Sequence, residues 1–307
     1  MDLHEKLVRE ELAVPQTFAA LPPEFSDWER ARTALLPVPY DGTASYVPGA
    51  RRGPQAILEA SPQLELYDAE LQVEPYRVGI TTLPPLDVVI DPEAMLVRVE
   101  HAVSEIIRGE KFPVVLGGDH SITVGVIRAL QKRYSSLSVL QLDAHADLRE
   151  EYQGSRFSHA CVARRLVELG CQVVQLGIRS LTREEAQWLR ESEAITTVCA
   201  QELAQDFTRA FQALDELSSP VYITLDVDVF DPSVMPATGT PEPGGLSWYD
   251  VLRVLRGAFE RFEVVGCDLV ELAPIGGLVA PDFLVARLVY KLIGYWATSR
   301  KLLAELR

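Results

Sequence analysis

The sequence predicts an α/β fold: a mostly parallel sheet of about eight strands with helices on both faces, a three-layer α/β/α arrangement. Three observations predict it. Short, largely apolar runs at 112–116, 138–142 and 221–225 lack the polar alternation of a half-exposed strand, as expected where both faces are buried. Segments with helical periodicity separate these runs. Unusual polar residues cluster immediately after them, where parallel sheets carry their functional loops.

Taken in order, residues 1–30 are mixed, contain prolines and read as an N-terminal arm lying on a neighbouring subunit. A first strand follows within 31–39. The next loop is punctuated by Gly42, Pro48, Gly49, Gly53 and Pro54, and a short helix starts at Pro54. Residues 77–81 form a second strand. Asp91 caps a helix that ends before Gly109, with Met95, Val99, Val103, Ile106 and Ile107 as its apolar stripe. His101 falls off that stripe and reads as exposed; His4 in the arm reads the same way. Strands end at 116, 142 and 225. Helices are expected from Ser121, over 158–170 closed by Gly170, from Thr182 with Glu185 in a capping box, over 201–217, after Ser247, and over 282–298. Further strands fall at 172–178, 195–199 and 262–272. No linker or composition shift divides residues 1–307, so one domain is expected.

Composition excludes several functions. Asp and Glu number 44 against 29 Lys and Arg, a net charge of −15, which disfavours nucleic acid as a partner. No apolar run reaches the roughly 20 residues of a membrane span, and the charged start MDLHEKLVREEL is no secretory signal. Cys161, Cys171, Cys199 and Cys267 show no C-x-x-C spacing and read as free thiols in a reducing compartment. A cytoplasmic protein is expected.

The chemistry lies in residues 143–147, DAHAD. Asp143, His145 and Asp147 stand at every second position after an apolar run. Continued strand alternation would put all three on one face. His120 ends the 112–117 run, Asp226 and Asp228 end another, and Glu271 ends the last. Parallel strands bring these ends together. Four carboxylates facing one another call for positive charge. Six ligand-type side chains suit two divalent ions with bridging carboxylates, and oxygen-rich ligation without thiolate favours manganese over a structural zinc site. Such ions lower the pKa of bound water from ~15.7 to about 7 in favourable cases. Two other readings stay open on these residues: a metal-binding scaffold without catalysis, and a different metal hydrolase.

GGDHS (117–121), DAHAD (143–147), the run DVDVFDPSVMPATGTPEPGGLS (226–247) and DLVELAP (268–274) together resemble the ureohydrolases, the arginase and agmatinase family. The resemblance spans most of the chain and implies two manganese ions, one held by His120, Asp143, Asp147 and Asp226, the other by Asp143, His145, Asp226 and Asp228. It implies that Asp228 passes a proton to the leaving amine, that Glu271 pairs with the guanidinium and that His159 shuttles protons. It also implies a homotrimer or hexamer. Arg149 stands where arginases carry an asparagine for the amino-acid head, which argues against arginine. The GTPEPGG form resembles agmatinases, and Glu150, Glu151 and Glu242 are candidates to meet a cationic tail. The expected reaction is agmatine to putrescine and urea. The alternatives are aminopropyl-agmatine to spermidine, suggested by Ala160 after His159 where many members have glycine, and hydrolysis of guanidinobutyrate or a formimino-amino acid.

Overall fold

The computed structural model describes residues 16–303. The start of the expected arm and His4 lie outside them. Eight strands, β1 (Thr33–Val38), β2 (Ile80–Thr82), β3 (Phe112–Gly117), β4 (Ser138–Leu142), β5 (Gln172–Ile178), β6 (Ile195–Cys199), β7 (Val221–Asp226) and β8 (Val264–Val270), join one sheet in the order β2-β1-β3-β8-β7-β4-β5-β6. Every pairing is parallel.

Each central strand feeds both faces. Val114 and Leu116 of β3, Leu140 and Leu142 of β4, and Ile223 and Leu225 of β7 enter one core. Val115, Val139 and Tyr222, one residue out of phase, enter the other. That two-residue period on fully buried strands explains why the sequence shows apolar runs rather than alternation. The first core is closed by α2 (Gly53–Ala60), α9 (Trp248–Arg261) and α10 (Ala280–Ser299), the second by α3 (Pro92–Arg108), α4 (Thr123–Gln131) and α5 (Val162–Glu168). A short α1 (Pro23–Ser26) precedes β1. Phe18 of the arm is fully buried in the first core.

Local capping sets the helix starts. The Asp91 carboxylate accepts from the Ala94 amide at 2.8 Å. Thr182 and Glu185 form the expected capping box ahead of α6 (Arg183–Glu191), and Ser247 with Asp250 forms another ahead of α9. His101 is exposed. Among the described residues no helix is long and apolar enough to cross a membrane.

Three expectations need correction. The segment 201–217 is not one helix but α7 (Ala200–Gln205), α8 (Thr208–Ala213) and a 3-10 turn at Leu214–Glu216. Asp206 breaks it by accepting the Thr208 amide and hydroxyl at 3.0 and 2.6 Å, a local bond that competes with the helix ladder. Residues 77–81 straddle a 3-10 turn, Pro75–Val78, and β2. Finally, β4 stops at Leu142, so residues 143–147 are not strand and their side chains do not share a face by alternation.

Candidate metal centre

The site sits at the carboxyl ends of four strands that are adjacent in the sheet, β3-β8-β7-β4. They supply His120, Glu271, Asp226 with Asp228, and Asp143 with His145 and Asp147. The chain leaves β3 through Gly118, where a Cβ would lie 1.9 Å from the Tyr40 carbonyl oxygen. Only glycine fits that approach, and it lets the Asp119 amide donate to the same oxygen at 2.7 Å. His120 then opens a 3-10 turn, His120–Ile122.

Beyond β4 the DAHAD segment is held by one of its own carboxylates and by one from the end of β7. Asp143 Oδ1 accepts from the His145 amide at 2.7 Å, and Asp228 Oδ1 accepts from the Ala144 amide at 2.9 Å. Asp147 takes φ = 52° and Glu271 φ = 66°, left-handed backbone that costs a non-glycine residue energy and concentrates at functional sites. Glu271 is stitched to the His120 turn on both sides. Its amide donates to the Gly118 carbonyl at 2.7 Å, and its Oε1 accepts from the His120 amide at 2.8 Å.

Two convergent groups result: His120 with Asp143 and Asp147, and Asp143 with His145 and Asp228, so Asp143 belongs to both. His120 Nδ1 lies 3.1, 3.3 and 3.5 Å from oxygens of Asp143, Asp147 and Asp226. Yet among the described residues this buried nitrogen has no directed hydrogen bond. The other face of the ring explains why. Nε2 is 2.9 Å from Thr224 Oγ1, whose proton goes to Asp268 Oδ1 at 2.6 Å. Asp268 also accepts from Thr123 and Tyr222 and acts only as an acceptor. In the neutral ring Thr224 therefore receives the Nε2 proton, and Nδ1 turns a lone pair toward three carboxylates. A lone pair among anions is repulsive, whereas a cation between them satisfies all four groups. The donor set thus fits divalent metal.

Electrostatics agrees. Burial pushes the Asp143, Asp147 and Asp226 carboxyls up, and their neighbours' negative charge adds to it, Asp147 rising to about 7. Burial also works against Asp228, but its bond to His145 at 2.8 Å holds it low. Burial would push both histidines down, and the carboxylates reverse this, raising His145 to about 10. The cluster without cations holds its charge apart by retaining protons.

A cavity of about 290 Å³ opens over this cluster, lined among others by Glu271, His159, Arg149, Tyr152, Thr240 and Glu185. Of the residues expected from the sequence, His120, His145, Asp147, Asp226, Asp228, Glu271 and His159 line this cavity, and Asp143 belongs to both convergent groups. Sequence reasoning missed Tyr152, which packs edge-on against the nearby His159, and Thr224, Asp119 and Asp268, whose partners lie far along the chain. Glu150 faces Arg156, Arg164 and Arg165 instead of the cavity, and the main chain of Glu242 serves Arg179. Neither these nor Glu151 line this cavity.

The sequence profile described as the Arginase family matches residues 31–294. The chain belongs to the arginase family. The family's enzymes carry two metal ions, in keeping with the two groups that share Asp143. This arginase-family hydrolase is 41% identical to the N(1)-aminopropylagmatine ureohydrolase of Synechocystis sp., over 94% of this chain and 98% of the relative. It is 42% identical to the protein of that name from Thermus thermophilus, over 87% and 91%. A crystal structure of the agmatine ureohydrolase of Thermoplasma volcanium superposes with a TM-score of 0.85 at 30% identity, covering 96% of this chain and 99% of that one.

Proposed function

We propose that this hydrolase releases urea from a guanidino-amine, with N1-aminopropylagmatine as its preferred substrate, giving spermidine. The observation that carries the reading is a Glu271 carboxylate lining the same cavity as the two acid–histidine groups that share Asp143. A guanidinium is planar and pairs with a carboxylate. Arg149 on the cavity wall stands where arginases carry an asparagine for the amino-acid head, which argues against arginine.

Agmatine is the simpler substrate expected from the motifs. Two observations favour the longer one. The relatives at 41% and 42% identity carry the aminopropyl name. The cavity is also bordered by a second depression of about 420 Å³, which shares Arg149, Thr182 and Glu185 with it and adds Glu151 and Trp188. That gives room and negative charge for an additional aminopropyl arm.

In this reading one manganese would be held by His120, Asp143, Asp147 and Asp226, and the other by Asp143, His145, Asp226 and Asp228. When bound, the pair supplies Lewis-acid activation of water and positive charge for the developing tetrahedral centre. Glu271 holds the guanidinium with the carboxylate oxygen not used by His120. The guanidino carbon–nitrogen bond to the alkyl chain breaks and the water oxygen stays in urea, while Asp228, ionised at the outset, takes one proton from that water and passes it to the departing nitrogen. His159, whose pKa burial pushes down, carries the water's second proton between the cavity and solvent, so that the amine leaves as an ammonium. The enzyme works in the cytoplasm as a trimer or hexamer.

The deciding experiment is urea release after manganese loading from aminopropylagmatine, agmatine, 4-guanidinobutyrate and arginine. The expected order places aminopropylagmatine above agmatine by about tenfold in kcat/KM, a difference of about 1.4 kcal/mol, with arginine inert. Absence of urea from every guanidino compound overturns the reading, and equal turnover of the two amines overturns the preference.

A further inference from the structure

His159 presents two nitrogens to unlike surroundings. Three loops meet at its ring: the one after β1 carrying Thr43 and Ser45, the turn after β3 carrying Asp119, and the 3-10 turn His159–Cys161 that precedes α5. Thr43 Oγ1 lies 3.2 Å from His159 Nδ1 and 2.9 Å from Asp119 Oδ2, and it accepts from the His159 amide at 3.0 Å.

A hydroxyl has one proton and two lone pairs, so the direction of the chain is fixed by its most demanding member. Asp119 is completely buried. Its Oδ2 already accepts from the Thr43 amide at 2.9 Å, and its Oδ1 accepts from the Ser121 amide at 3.1 Å and from the Ser121 hydroxyl. A carboxylate facing four donors has nothing to give, so the Thr43 proton points at Asp119. Both Thr43 lone pairs then face His159, one receiving the main-chain amide and the other Nδ1. Nδ1 must carry hydrogen. Ser158 Oγ, 3.3 Å away, is a second acceptor for the same proton. Nε2 is left with its lone pair, 3.4 Å from Ser45 Oγ, a cavity-lining hydroxyl that can donate to it.

We propose that Asp119 and Thr43 are positioning residues that lock His159 as the Nδ1–H tautomer and so present the Nε2 lone pair to the substrate cavity. The inference deepens the functional reading above and rests on it for the role of His159. When Nε2 takes a proton, the ring becomes an imidazolium whose Nδ1–H still points through Thr43 to an anion. When the proton leaves, the starting tautomer returns, and no net proton is consumed. Tyr152, edge-on to the imidazole at 5.8 Å between centroids, limits rotation of the ring. The arrangement parallels the Asp268–Thr224–His120 line: in each, a threonine hydroxyl stands between a buried aspartate and a histidine.

Two readouts test the lock. The first is the histidine side-chain ¹⁵N spectrum of the full-length protein, loaded with a diamagnetic divalent ion in place of manganese and assigned with His159→Gln. The wild type is expected to show a protonated Nδ1 and a lone-pair Nε2 at His159. Thr43→Val is expected to lose that pattern and Thr43→Ser to keep it. The second is turnover of the manganese enzyme. Thr43→Val should lower kcat by about tenfold to a hundredfold with KM within about twofold, and Thr43→Ser should restore most of it. Thr43→Ala serves the same readouts should the valine variant fail to fold. A wild-type spectrum with hydrogen on Nε2, or a Thr43→Val enzyme with unchanged kcat, overturns the lock. Because the spectrum needs no substrate, an expected spectrum without urea release would sink the functional reading and leave the tautomer assignment standing.

Discussion

The guanidinium of Arg179 donates to the main-chain carbonyl of Asp228 at 2.7 Å. Its remaining bonds also go to carbonyls, including Gly177 at 3.1 Å, Phe230 at 3.2 Å and Glu242 at 2.8 Å. One side chain at the end of β5 thus ties the backbone beyond β7 to the proline- and glycine-rich loop that supplies Gly239 and Thr240 to the cavity. Replacing Arg179 with alanine leaves several part-buried carbonyls without a donor. The expected loss is about 2–4 kcal/mol in chemical denaturation, with a fall in kcat as Asp228 loses its support. Arg179→Lys should recover little, because an ammonium cannot reproduce the planar fork. Wild-type stability in the alanine variant would show that the fork is dispensable.

Thr224 fixes which nitrogen of His120 is free. Thr224→Val removes the acceptor for Nε2 and lets the ring turn or change tautomer. Apparent manganese affinity should drop about tenfold to a hundredfold, read by competition with a chelator, while Thr224→Ser stays near wild type. Equal affinity in all three proteins would mean that packing alone orients His120.

Removing metal should soften the protein as well as silence it. The acid cluster then relies on retained protons, and binding to the folded chain alone adds about 2.7 kcal/mol per site at a hundredfold excess over Kd. Calorimetry before and after chelation should show a lower melting temperature, recovered on adding manganese together with urea release. An unchanged melting temperature would contradict a cation-dependent cluster.

Asp231 offers a pH-dependent reading of the loop after β7. The Ser233 hydroxyl and amide, with the Gly244 and Gly245 amides, hold its carboxyl down at about 2, against about 3.9 in an unfolded chain. A depressed carboxyl contributes stability that is complete above the unfolded value and lost as pH falls through the folded one. Asp231→Asn should cost about 1 kcal/mol at pH 6, a figure kept small because the group is close to solvent. The gap between wild type and variant should close between pH 4 and 2 in urea titrations. A gap that is constant across this range would place the effect elsewhere.

How legible the protein was depends on the range of the interactions involved. Caps at Asp91, Thr182 and Ser247 act within three residues and could be read directly. The strand-end acids could be read because parallel topology alone gathers them. The bend at Asp206 was hidden by the helix-favouring residues around it, although its Asp-x-Thr spacing is a turn signal. The geometry of 143–147 was misread because strand alternation does not continue past Leu142. The ring of Asp147 partners is built instead by a left-handed backbone step, which no periodicity announces. Thr43 and Asp119 stand 76 positions apart, and neither belongs to a ligand-type motif with the other. Their meeting is a property of how the loops after β1 and β3 lie side by side.

The strand that completes the site is the last to be made and among the innermost. β8 slots between β3 and β7, so a nascent chain stopped near residue 260 has the histidine and the aspartates but no strand to bring their two halves together. Its Glu271 clasp on the His120 turn also does not yet exist. The group that contains His120 therefore needs β8 in place, and a chain cut before this strand would expose a torn central sheet rather than a complete site.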